Sequence, residues 1–266
     1  MMQTPKSIVR GLAAAVAGIF LAGCVPDQAM IEAGLAEPPA AKVASGAYVA
    51  RQDGSFAIPA IPLDRLPTEY QRQTVYYPTD EAPGTVIINP AARHLYLVTG
   101  DNTAVRYGIS VGRAGFEWSG TANVANRKPW PTWTPPPEMI ERKPELAKWE
   151  NGQPGGPTNP LGARALYLKT NGVDYGYRIH GTPEWQSIGS NASSGCIRMI
   201  NQDIIDLYAR VPDSAKVIVL TRDGQVPTGL TLPPAAPKRV AKAATPPPPS
   251  PTLPPAPPAG TGTGPV

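Results

Sequence analysis

The 266-residue chain has little of what usually announces a chemistry: two cysteines, two histidines, three phenylalanines, and charged residues at only 17%. His94 and His180, spread along the chain with Cys24 and Cys196, cannot furnish a zinc site of the usual kind, so neither a metal nor another cofactor is expected. Low charge with 7% aromatics excludes a coiled coil and an acidic disordered chain. The net charge of +4 sits at the ends, on Lys6, Arg10, Lys238, Arg239 and Lys242, while residues 25–224 hold 19 basic against 20 acidic groups. Charge therefore gives no case for a nucleic-acid partner. The apolar run from Gly11 to Gly23 is too short to span a bilayer as a permanent helix. What abounds is proline (35) and glycine (26), together about a fifth of the chain, so part of it is expected not to be globular.

The N-terminus, basic at Lys6 and Arg10 and then apolar, reads as an export signal over residues 1–23. Its end, Leu21-Ala22-Gly23-Cys24, resembles the bacterial lipobox, which implies acylation and cleavage at Cys24. Two or three acyl chains supply the paired anchors that stable membrane attachment needs. Val25 is not the aspartate that marks inner-membrane retention, so the expectation is a periplasmic protein held on the outer membrane through Cys24. A lipidated Cys24 leaves no second cysteine for a disulfide with Cys196, and an exported thiol of that kind is either buried and inert or kept for its chemistry.

Residues 24–66, rich in Ala, Pro and Gly without a sustained period, are expected to be a flexible tether. Residues 226–266 contain 14 prolines and no acidic residue, the composition of a disordered or polyproline-II tail. Between them, residues 67–225 carry the domain. Thr85–Ile88 and His94–Val98 flank a turn-rich spacer of hairpin length, and Val105–Val111, Ala165–Leu168, Tyr175–Ile179 and Val217–Leu220 also read as strands. Asn201 resembles an N-cap ahead of Ile204, Ile205, Leu207, Tyr208 and Val211, which repeat at helical spacing. The prediction is a mostly β domain, a sandwich or partly closed barrel, with one short helix after Cys196. The segment from Pro129 to Pro160, with many prolines and Trp130, Trp133 and Trp149, is expected to be a long ordered loop over the site.

A thiol attacks acyl carbons as the thiolate, so a nucleophilic cysteine needs a base and donors for the oxyanion. His180 ends an alternating strand, and the chain returns 16 residues later with Cys196. Spacing alone leaves a structural role for each open. The wider run decides: His180-Gly181-Thr182, a gap, then Ser193-Ser194-Gly195-Cys196-Ile197-Arg198-Met199 resembles the signature of the L,D-transpeptidase catalytic (YkuD) domain, and so do Pro131–Pro136 and Pro154–Ala163 upstream. The resemblance covers about residues 83–221.

That resemblance implies a β-sandwich in which Cys196 is the nucleophile, His180 the base, and the Gly181 carbonyl the group that orients the imidazole. The Gly195 and Cys196 amides would line the oxyanion hole. Arg198 would grip a substrate carboxylate or serve in a structural ion pair. Ser194 departs from the commoner histidine and leaves His180 the sole candidate base. The implied reaction is acyl transfer on peptidoglycan stem peptides through a Cys196 thioester, resolved by a stem amine as a 3–3 cross-link, by a lysine of an outer-membrane protein, or by water. A non-catalytic peptidoglycan-binding module and a lipid-anchored structural tether are the readings from other classes. A Cys–His pair can titrate several units below the free thiol value of about 8.5, so a thiolate–imidazolium pair is expected.

Overall fold

Short alternating runs punctuated by Gly, Asn and Pro turns build twelve strands in the computed structural model, which describes residues 28–34, 36–112, 118–191 and 196–233. They are β1 (Lys42–Val43), β2 (Arg51–Asp53), β3 (Phe56–Ile58), β4 (Gln73–Tyr76), β5 (Val86–Asn89), β6 (His94–Gly100), β7 (Thr103–Val111), β8 (Gly120–Pro129), β9 (Arg164–Lys169), β10 (Arg178–Thr182), β11 (Ile197–Ile200) and β12 (Lys216–Val219). Helices are α1 (Gln28–Glu32), α2 (Pro137–Arg142) and α3 (Asn201–Arg210). The expected signal, Cys24, Ser194 and Gly195 lie outside the described residues.

The opening hairpin forms where the sequence predicts it. Asn89 Oδ1 accepts the Ala92 N–H at 3.0 Å and Arg93 takes φ 56°, closing the turn between β5 and β6. From there the ladder runs β6–β7–β11–β10–β9–β8–β12–β5 and returns to β6, a closed ring of eight strands, with β4 and then β1 added beyond β7. Only β10–β11 and β12–β5 are parallel among these pairs. Inward-facing Ile88, Leu95, Ile109, Leu166, Ile179, Ile197 and Met199 fill the ring's interior, and Ile204 and Leu207 of α3 join them. The domain is mostly β, as the sequence predicts, and its edges are reduced by closure.

Several expectations change. β8 goes unseen in the sequence because its inward positions are Gly120, Ala122 and Val124 against Thr121 and Asn123 outside, too little hydrophobic contrast to show a period of two. β10 begins at Arg178, not Tyr175: Gly176 turns the chain at φ 86°, and Tyr177 stacks on Trp118 with centroids 4.1 Å apart. Asn201 is not the cap but the first helical residue, and its Oδ1 instead accepts the buried Ala163 N–H at 2.9 Å. The 129–160 segment contains α2 and a 3-10 turn at Pro144–Trp149, so the helix after Cys196 is not the sole one.

The tether expectation also fails for residues 42–66. Tyr48, Ile58, Ile61 and Leu66 are buried, and all but Ile58 cluster with Ile188 and Ile200. An interior polar group then fastens this segment to α3. Tyr48 Oη donates to Asp203 Oδ2 at 2.9 Å and accepts the Arg72 N–H at 2.7 Å, while Arg72 pairs with Asp206 at 2.6 Å and lies 3.5 Å from Asp203. Burial pushes the Asp203 carboxyl up to about 7, against the pull of Arg72 and Tyr48. At the other end, Thr231 bridges to Ser119, so the expected tail is folded back on the domain as far as that residue.

Candidate active site

Parallel pairing of β10 and β11 brings together residues that are distant in the chain. Ile179 lies opposite Ile197 and His180 opposite Arg198, so His180 and Arg198 share one face while Ile179 and Ile197 turn into the core. Cys196 directly precedes β11, two residues before Arg198, which puts it on the His180 face. The 16-residue separation thus accommodates the crossover that parallel strands require.

His180 is 3% exposed, and its Nδ1–H donates to the Gly181 carbonyl at 2.6 Å, which fixes the tautomer and leaves Nε2 as the basic nitrogen. Gly181 must be glycine because a Cβ there would overlap Asn201 Oδ1. Burial, helped by the Arg198 charge and opposed by the Gly181 hydrogen bond, lowers the His180 pKa to about 4. Burial likewise pushes the Cys196 thiol above its ordinary value, although the Arg178 and Arg198 charges and a hydrogen bond with the Arg178 backbone oppose this. Both shifts favour the uncharged thiol and the uncharged imidazole, against the charge separation of the expected ion pair. An imidazole neutral above about pH 4 can take the thiol proton when a carbonyl is presented.

A cleft of about 620 Å³ opens onto this pair. His180, Thr182, Cys196 and Arg198 form its floor, and the 129–160 segment supplies the opposite wall through Trp133, Met139, Lys143, Glu145, Leu146 and Trp149. The long loop does lie over the site. Arg198 Nη1 meets Glu184 Oε2 at 3.3 Å, an ion pair whose carboxylate partner is largely exposed. Thr182 stands out in the sequence only as part of the His180 motif, and nothing there points to Glu184, Met139, Lys143, Glu145 or Leu146; the signal for the wall is its density of tryptophan and proline. His94 lies away from the cleft, with Nε2 3.0 Å from the Glu69 carbonyl oxygen. Among the described residues no cluster of His, Cys, Asp and Glu could hold a metal ion.

The family model for the L,D-transpeptidase catalytic domain matches residues 83–219, which span β5 to β12 and the whole cleft floor. The chain belongs to that family. "Probable L,D-transpeptidase YbiS" of Escherichia coli K12 is 34% identical over 150 residues, covering 54% of this chain and 47% of the relative. "Probable L,D-transpeptidase ErfK/SrfK" of the same organism is 35% identical over 144 residues, covering 51% and 43%. The chain thus matches somewhat under half the length of these curated relatives. Among solved structures, one from Brucella melitensis, described as a "Probable carnitine operon oxidoreductase caia", is 48% identical with a TM-score of 0.41, covering 55% of this chain and 91% of that one. Membership in the L,D-transpeptidase family supports an enzyme of this type.

Proposed function

We propose that the protein is a cysteine-dependent L,D-transpeptidase that takes peptidoglycan tetrapeptide stems as acyl donors. The observation that supports this best is the placement of Cys196 and a neutral, tautomer-fixed His180 on one face of adjacent parallel strands, under a covered cleft. His180 Nε2 takes the Cys196 proton as sulfur attacks the carbonyl of the third stem residue. The C–N bond to the terminal D-alanine then breaks, and the imidazolium returns its proton to the departing amine. A thioester remains. An acceptor amine attacks it, His180 accepts the amine proton, and the thiolate leaves and is reprotonated. Arg198 holds a donor carboxylate when its weak pairing with exposed Glu184 gives way, and the Gly195 and Cys196 amides are the oxyanion donors that the family resemblance implies.

The acceptor is a second stem, giving a 3–3 cross-link, or a lysine of an outer-membrane protein. Lipidation at Cys24 holds the enzyme on the outer membrane, facing periplasmic peptidoglycan. Incubation of the purified protein with disaccharide tetrapeptides should release D-alanine and yield dimers bearing the new bond, and Cys196→Ala should yield neither. Product formation by Cys196→Ala would contradict the proposal.

A further inference from the structure

The β2–β3 hairpin lies before the matched domain, yet it grips the stem of the cleft wall. Asp53 on β2 receives a bidentate pair from Arg164 on β9, Nη1 to Oδ2 at 2.6 Å and Nη2 to Oδ1 at 2.8 Å. The same Oδ2 accepts the Trp130 indole N–H at 2.8 Å. Beside it, Phe56 on β3 packs on the Trp130 ring at a centroid distance of 4.6 Å. Both charged side chains are largely buried, at 15% and 14% exposure, so this pair is screened far less than a surface one.

Trp130 is the first residue of the wall segment after β8 and adopts φ 40°, a left-handed conformation that an aromatic residue takes only when its surroundings hold it. Its carbonyl lies so close to Gly155 that no Cβ fits there, which joins the outgoing and returning stems of the wall. Farther along, the Trp133–Gln153 bridge (2.9 and 2.7 Å) and the fully buried Asn159, donating to Pro131, Gln153 and Pro154 carbonyls, continue the same seam. Trp133 itself lines the cleft. A continuous path of contacts therefore runs from Asp53 to the surface that faces Cys196.

We propose that Asp53 is a positioning residue for this wall: through Trp130 and Arg164 it fixes the 130–160 segment over the cleft, so that the thioester is shielded from water until an amine arrives. The proposal rests on the transpeptidase reading for its kinetic consequence, though not for the clasp itself.

The test uses the full-length protein with a disaccharide-tetrapeptide donor and a second stem peptide as acceptor. Asp53→Ala should raise the hydrolysed share of turnover at least threefold and the donor KM at least fivefold, and Asp53→Glu should restore both to within twofold of wild type. A merely structural contact would lower the active fraction but leave the partition ratio and KM unchanged. Amide hydrogen exchange over residues 130–160 should quicken in Asp53→Ala; this arm stands even if wild type forms no thioester, an outcome that would overturn the transpeptidase reading and not the clasp. If Asp53→Ala does not fold, Phe56→Ala removes only the ring contact and is read in the same three ways. Wild-type partition, KM and exchange in the folded variant would overturn the proposal.

Discussion

Cys196 and His180 differ from a free cysteine and histidine in one respect that sets their chemistry: burial disfavours the charged form of each. Alkylation of Cys196 by iodoacetamide should therefore show its inflection above that of a free thiol, whereas an inflection well below it would establish a thiolate–imidazolium pair. The acid limb of donor acylation should fall near pH 4, where His180 becomes charged, rather than near 6.5. The same depressed pKa acts on stability. The unfolded histidine binds its proton near 6.5 and the folded one near 4, so the stability it contributes is complete above 6.5 and lost as pH falls through 4. His180→Gln should remove that component, which is read as the difference between the two urea-unfolding curves across pH 4–7. Cys196→Ala, by contrast, should shift stability by about 1 kcal/mol or less, the usual cost of a small truncation away from special features.

At the scale of elements, α3 depends on the group formed by Tyr48, Arg72, Asp203 and Asp206. Tyr48→Phe removes the hydroxyl that donates to Asp203 and accepts from the Arg72 amide, and should cost about 1–3 kcal/mol, the penalty for leaving buried polar groups unpaired. Asp203 has a folded pKa raised to about 7, so its favourable contribution is present at acid pH and lost as pH rises through that value. Loss of the tyrosine donor raises the pKa further, and the cost of Tyr48→Phe should grow between pH 6 and 8. Thermal unfolding of both proteins at several pH values checks this; a cost that shrinks with pH would contradict it. The sequence shows what it does of these elements because pattern and turn chemistry agree in them. Asn89 to Arg93 announces its hairpin, and Ile204, Leu207 and Val211 announce α3. β8 stays hidden because small residues carry its inward face, and the role of Asn201 because only the folded approach of Ala163 and Gly181 shows what its side chain meets. Likewise His180, Gly181 and Cys196 stand out by motif, whereas Asp53 and Glu184 acquire their places only through contacts distant in sequence.

Considered as a whole, the molecule extends beyond the segment that its family shares. Residues 42–66 read as part of a spacer because the 24–66 segment is rich in Ala, Pro and Gly without a sustained period, yet Tyr48, Ile58, Ile61 and Leu66 each bury a large side chain. Such burial is worth about 1.5–3 kcal/mol per residue, a large part of the 5–15 kcal/mol that stabilises a typical domain. A chain begun at residue 67 should therefore be insoluble or melt far below the full-length protein, and one begun at residue 41 should melt within a few degrees of it. Circular dichroism of the two truncations tests this, and equal melting would return residues 42–66 to the role of a spacer.

The most direct test of the catalytic account is the mass of the intact protein after brief exposure to a tetrapeptide donor without an acceptor. The account predicts a gain equal to the donor less D-alanine, mapped to the peptide containing Cys196, discharged by an added amine and absent from Cys196→Ala. An unmodified wild-type protein that nonetheless releases D-alanine, or an adduct that persists in Cys196→Ala, would contradict it.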